Sequence, residues 1–95
     1  MNYIKHVLEA LDKVGGIRAG YKSLAIDLGT KVVTIEYRHG KDDLRVYTWG
    51  GYQRYWPSVP SEDKRKIGEE CRKILEWKKK EEEEYGVAGI GGEEV

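Results

Sequence analysis

Ser23-Leu24-Ala25-Ile26-Asp27-Leu28-Gly29-Thr30-Lys31-Val32-Val33-Thr34-Ile35-Glu36-Tyr37 is the stretch that decides the fold. Leu24, Ile26 and Leu28 alternate with Ser23, Ala25 and Asp27, the period of two that a half-buried strand requires. Val33, Ile35 and Tyr37 alternate with Val32, Thr34, Glu36 and Arg38 in the run that follows. Between the runs, Gly29-Thr30 suits a two-residue type II′ turn, whose first central residue needs a positive φ. That turn fixes the register and sets Ile26 opposite Val33 and Leu24 opposite Ile35. A hairpin follows from the pattern alone.

Moving toward the C-terminus, His39-Gly40-Lys41-Asp42 reads as a second turn. Leu44, Val46 and Thr48 then alternate with Arg45, Tyr47 and Trp49 in a third strand. A four-residue loop puts Tyr37 opposite Leu44 and Ile35 opposite Val46, again apolar on apolar. On the other face the same register pairs Glu36 with Arg45 and Arg38 with Asp43, opposite charges that attract across strands.

The flanks are helical. Tyr3, Ile4, Val7, Leu8, Leu11 and Val14 recur at helical spacing, with Asn2 as the expected cap and Gly15-Gly16 as the left-handed stop. After Trp56, the connector Pro57-Ser58-Val59-Pro60 can continue neither element. Ser61 is then the expected N-cap of a second helix, with Glu62 and Asp63 in its first turn. Ile67, Cys71, Ile74 and Leu75 form its buried face, with Trp77 on the flank. Gly86, Gly89, Gly91 and Gly92 are expected to end it.

The expected fold is α+β in the order α-β-β-β-α. It is a three-stranded antiparallel meander with both helices packed on one face. Residues 1–80 form the domain and 81–95 an acidic, glycine-rich, mobile tail. This order of elements is similar to that of double-stranded-RNA-binding domains and HicA-type messenger-RNA interferases. The similarity is one of topology. The lysine-rich start of the second helix in the former and the glycine-serine-histidine strand of the latter are missing, so no site residue follows from it.

Composition narrows the setting. A chain of 95 residues supports one core and no deep active-site cavity. Cys71 is the sole cysteine, which excludes an internal disulfide and implies a reducing, cytoplasmic setting. Apolar runs are too short for a signal peptide or a membrane span. Charged residues make up 36% of the chain while Asn2, Gln53, Met1 and Cys71 are each unique, the pattern of a thermophile or of a virus that infects one. The net charge is zero, yet residues 1–80 hold 17 bases against 11 acids and residues 81–95 hold six acids and no base. The body is +6 and the tail −6.

Chemistry-bearing residues do not assemble into a catalytic set. His6 falls on the polar side of the first helix, His39 in a turn, and Cys71 on a buried stripe. Asp42-Asp43 is a turn plus an ion-pair partner. No catalytic residue, metal ligand, cofactor or small-molecule substrate is therefore expected. The expected function is binding through the helix-free sheet face. Tyr47, Trp49 and Tyr52 would stack on bases while Arg54, Lys31 and Lys41 meet phosphates, so nucleic acid is the favoured partner. The alternative uses the same face, with Val32 against Trp49, to hold a protein partner or a second copy, as a small regulator or inhibitor would. Tyr55 and Trp56 are divided between surface and core.

Overall fold

The computed structural model describes residues 3–94, with side chains described for residues 3–84. The elements run α1 (Tyr3–Val14), β1 (Gly16–Arg18), β2 (Tyr21–Asp27), β3 (Val32–Tyr37), β4 (Arg45–Thr48), β5 (Gln53–Tyr55) and α2 (Ser61–Glu94). Short 3-10 turns at Lys41–Asp43 and Trp56–Ser58 lie on either side of the β4–β5 hairpin. The fold is α+β, with two helices packed on an antiparallel sheet of order β1-β2-β3-β4-β5.

The central register follows the apolar alternation. Ile26 pairs with Val33, Leu24 with Ile35, Ile35 with Val46 and Glu36 with Arg45. At the β2–β3 connection Gly29 has φ 93°, the positive value expected at the first loop position, and Leu28 N–H donates to the Lys31 carbonyl at 2.8 Å to close the hairpin. Val33, Ile35, Ile26, Leu44 and Val46 meet Val7, Ala10 and Leu11 of α1 and Ile67 and Cys71 of α2 in one core. Full burial of a side chain of this size contributes about 1.5–3 kcal/mol, so this layer holds the domain together.

Four expectations need correction. The sheet has five strands, not three. Gly16–Arg18 adds to β2 through a turn in which Ala19 and Gly20 both have positive φ, and Gln53–Tyr55 adds to β4. Gly15 and Gly16 are accordingly not a left-handed stop. The Gly15 N–H closes α1 on the Leu11 carbonyl at 3.1 Å, and Gly16 enters β1 directly. Ser61 is the first helical residue, because the Pro60 carbonyl accepts the Lys64 N–H at 2.9 Å and so occupies the cap position. Finally, α2 does not stop at Gly86 but is assigned to Glu94. Each glycine lowers helix preference by only about 1 kcal/mol, and no proline follows to break the ladder. The cap at Asn2 lies outside the described residues.

The helices meet at Gly68. A Cβ there would lie 2.3 Å from Tyr3 Cδ1, so the absent side chain is what admits the α1 ring against α2. Two polar clusters fasten this layer to the sheet. Asp12 of α1 accepts from Lys22 Nζ at 2.6 Å and from the Tyr37 hydroxyl. Asp63 of α2 accepts from Lys31 Nζ and from the Tyr52 hydroxyl, both at 2.8 Å.

Candidate binding face

Strand parity sends one set of side chains away from both helices. Tyr21, Ser23, Ala25 and Asp27 of β2 share this side with Val32, Thr34 and Glu36 of β3 and with Arg45 and Tyr47 of β4. The added strands widen it. Arg18 stands opposite Tyr21, Tyr55 opposite Arg45 and Gln53 opposite Tyr47. The result is an open face in which arginines and tyrosines interleave.

Its centre is ordered by charge. The Arg45 Nε donates to Glu36 at 2.8 Å, and the Tyr47 hydroxyl donates to the other Glu36 oxygen at 3.1 Å. Burial disfavours the charge on Arg45, but the adjacent Glu36 carboxylate, together with Tyr21 and Tyr55, outweighs it and raises the pKa. Burial, helped by the bond to Glu36, likewise raises the Tyr47 phenol. The Tyr21 ring lies 4.8 Å from the Arg45 guanidinium and 5.7 Å from that of Arg38, within reach of cation–π attraction to both.

Arg38 departs from expectation in a useful direction. The cross-strand ion pair with Asp43 does not form. Asp43 sits in the 3-10 turn, where its carboxylate accepts the backbone N–H groups of Arg38 at 2.8 Å and His39 at 3.2 Å. A short aspartate prefers this local bonding to a distant guanidinium. Among the described residues Arg38 has no carboxylate partner. Of the arginines on this face, only Arg45 is neutralised.

The sequence-derived site residues divide between two sides of the sheet. Tyr47 and Val32 are on the open face, and Val32 is 54% exposed. Trp49 stands at the tip of the β4–β5 turn, 102% exposed. That tip is sterically fixed, since a Cβ on Gly51 would fall 1.8 Å from Thr48 Oγ1, the acceptor of the Tyr52 N–H at 3.0 Å. Tyr52 and Lys31 lie on the helix side, both bound to Asp63. Arg54 pairs with Val46 and so also leaves the open face; it donates to the Ser58 carbonyl at 3.3 Å. Lys41 is exposed in the 3-10 turn at the opposite end of the sheet from Trp49. Of the divided pair, Trp56 is core and Tyr55 is exposed on the open face.

Arg18, Tyr21 and Tyr55 are the members that sequence reasoning missed. Tyr21 was within reach, since it shares parity with Ser23 and Ala25. Arg18 and Tyr55 depended on three-residue strands without an apolar alternation. Elsewhere, His6 is not on a free polar surface. It lines a groove of about 190 Å³ between the helices with Tyr3, Gly68, Glu69 and Arg72. Cys71 is buried, and that burial pushes its thiol up to about 12. Among the described residues no cluster of His, Cys, Asp or Glu could hold a metal ion, and no helix is long and apolar enough to cross a membrane.

These features define a small α+β domain with one helix-free, arginine- and tyrosine-bearing sheet face. The chain matches no protein-family model, no curated protein and no solved structure.

Proposed function

We propose that the chain is a non-enzymatic module that binds single-stranded or structured nucleic acid through its open sheet face. The observation that carries this reading is the Tyr21 ring flanked by Arg38 and Arg45 at 5.7 and 4.8 Å, with Arg18, Tyr47 and Tyr55 on the same side. Single strands are held by aromatic faces that stack on bases beside cations that meet phosphates, at about 1–3 kcal/mol per stacked base. The scarcity of Asn, Gln, Met and Cys beside abundant Lys and Glu supports reading it as a module from the cytoplasm of a thermophile, or of the host of a thermophile virus.

A second reading rests on Val32 and Trp49, exposed apolar side chains near one corner of the face. There an aromatic anchor would serve a protein partner or a second copy. Fluorescence separates the two readings. In a Trp77→Phe chain, Trp49 is the one strongly exposed indole left to respond to ligand. Titration with single-stranded oligonucleotide should quench it. With two arginines, Arg18 and Arg38, on phosphates, a fourfold rise in salt should weaken binding about sevenfold. No quenching at low salt would overturn the nucleic-acid reading. A dimer mass lost on Trp49→Ala would support the protein interface instead.

A further inference from the structure

The end of α2 carries a pattern that the sheet face does not use. No described residue of α2 after Cys71 is buried, and Trp77 is 61% exposed. Lys78-Lys79-Lys80 is followed at once by Glu81-Glu82-Glu83-Glu84. Within a single helix this order is poor. Lysine four residues before glutamate is the weaker orientation of such a pair. Among the described residues the one contact between the blocks is Lys78 Nζ to Glu81 at a loose 3.9 Å. The remaining charges of both blocks are left for water or for a partner.

We propose that this segment of α2 pairs antiparallel with the same segment of a second copy of the chain. A two-fold axis between Lys80 and Glu81 sets Lys80 against the partner's Glu81, Lys79 level with the partner's Glu82 and Lys78 level with the partner's Glu83. Lys80 then faces a carboxylate on each side of the axis, while Lys79 and Lys78, turned about 100° and 200° around the helix from it, add only to the surrounding field. A parallel pair would set lysine on lysine and glutamate on glutamate, which repel. Trp77, Lys80, Glu81 and Glu84 share one stripe of the helix surface, lining a shallow hollow of about 320 Å³. In the antiparallel arrangement Trp77 covers the aliphatic stem of the partner's Glu84 at each end. The opposed helix dipoles also attract. Because α2 lies behind the sheet, such a dimer leaves both open faces accessible and does not depend on what they bind.

Sedimentation equilibrium of the full chain tests this. At low ionic strength the expected mass is that of a dimer. It should fall to the monomer near 1 M salt, where the screening length is about 3 Å. A chain with Lys78→Glu, Lys79→Glu and Lys80→Glu should be monomeric at low salt. So should a chain with Glu81→Lys, Glu82→Lys, Glu83→Lys and Glu84→Lys. An equimolar mixture of the two should recover the dimer mass. Both sets exchange good helix formers, so unchanged circular dichroism shows that folding is intact. Trp49→Ala should leave the dimer in place. A monomer at low salt for the native chain, or a dimer that survives either charge block reversal, overturns the proposal.

Discussion

Asp63 does more for the fold than its place in a helical first turn implies. Its carboxylate accepts from Lys31 at the β2–β3 turn and from Tyr52 at the start of the β5 side, so one residue ties α2 to two parts of the sheet. The Lys31 bond, with a further pull from Tyr52, outweighs burial and lowers the Asp63 pKa below its ordinary value. A carboxyl with a depressed folded pKa contributes stability above its unfolded value near 4, and that stability is lost as pH falls through the folded pKa. Tyr52 works in the opposite sense. Burial first, then the bond to Asp63, pushes its phenol up to about 12. Its contribution is complete below about pH 10 and is lost as pH rises from there toward 12. Asp63→Ala should therefore cost about 2 kcal/mol at pH 7, since charge-assisted bonds contribute about 1.5–3 kcal/mol each but Lys31 regains water. Urea midpoints against pH check this. The variant should lose part of the acid-side fall below pH 4, and an unchanged midpoint at pH 7 would refute the tie.

The hairpins set which elements can be read from sequence. Ala19 has φ 52° and Gly20 φ 83°, so the β1–β2 turn is of the type I′ class. That class favours Asn-Gly, and an alanine there is strained by about 1–2 kcal/mol. Ala19→Asn should accordingly stabilise the hairpin by about 0.5–1 kcal/mol. The checks are a higher urea midpoint and slower amide exchange in residues 16–23, and faster exchange would contradict the turn assignment. The same alanine explains why β1 was not legible: the turn lacks the residue that announces it. β5 was hidden for a different reason, since Gln53, Arg54 and Tyr55 are all exposed and carry no apolar alternation. By contrast β2, β3 and β4 were legible down to single pairs, because burial of one face forces the register. The site inherited this division. Tyr47, Trp49 and Val32 were found through the legible strands, whereas Arg18 and Tyr55 came with the hidden ones. Tyr52 and Lys31 were drawn to Asp63, a contact between distant elements that no local pattern encodes.

At the scale of the whole molecule, charge is segregated along the chain, with +6 in residues 1–80 and −6 in residues 81–95. The sequence alone invites the idea that the acidic segment competes with nucleic acid for the basic body. The fold argues against direct occupation through residue 84, because α2 lies on the side of the sheet away from Arg18, Arg38 and Arg45. What remains is a field acting through solvent, and ionic strength sets its reach. The screening length is about 30 Å at 0.01 M salt and about 8 Å at 0.15 M. Deleting residues 81–95 should therefore tighten oligonucleotide binding several-fold at about 0.01 M salt, where distant carboxylates still repel phosphates. At 0.15 M the affinity should stay within about twofold of the full chain, because the acidic segment is then screened from the face. Fluorescence titration of both chains at the two salt concentrations decides the matter. Tightening that persists undiminished at 0.15 M would mean that the acidic segment contacts the binding face itself, and the field argument would fail.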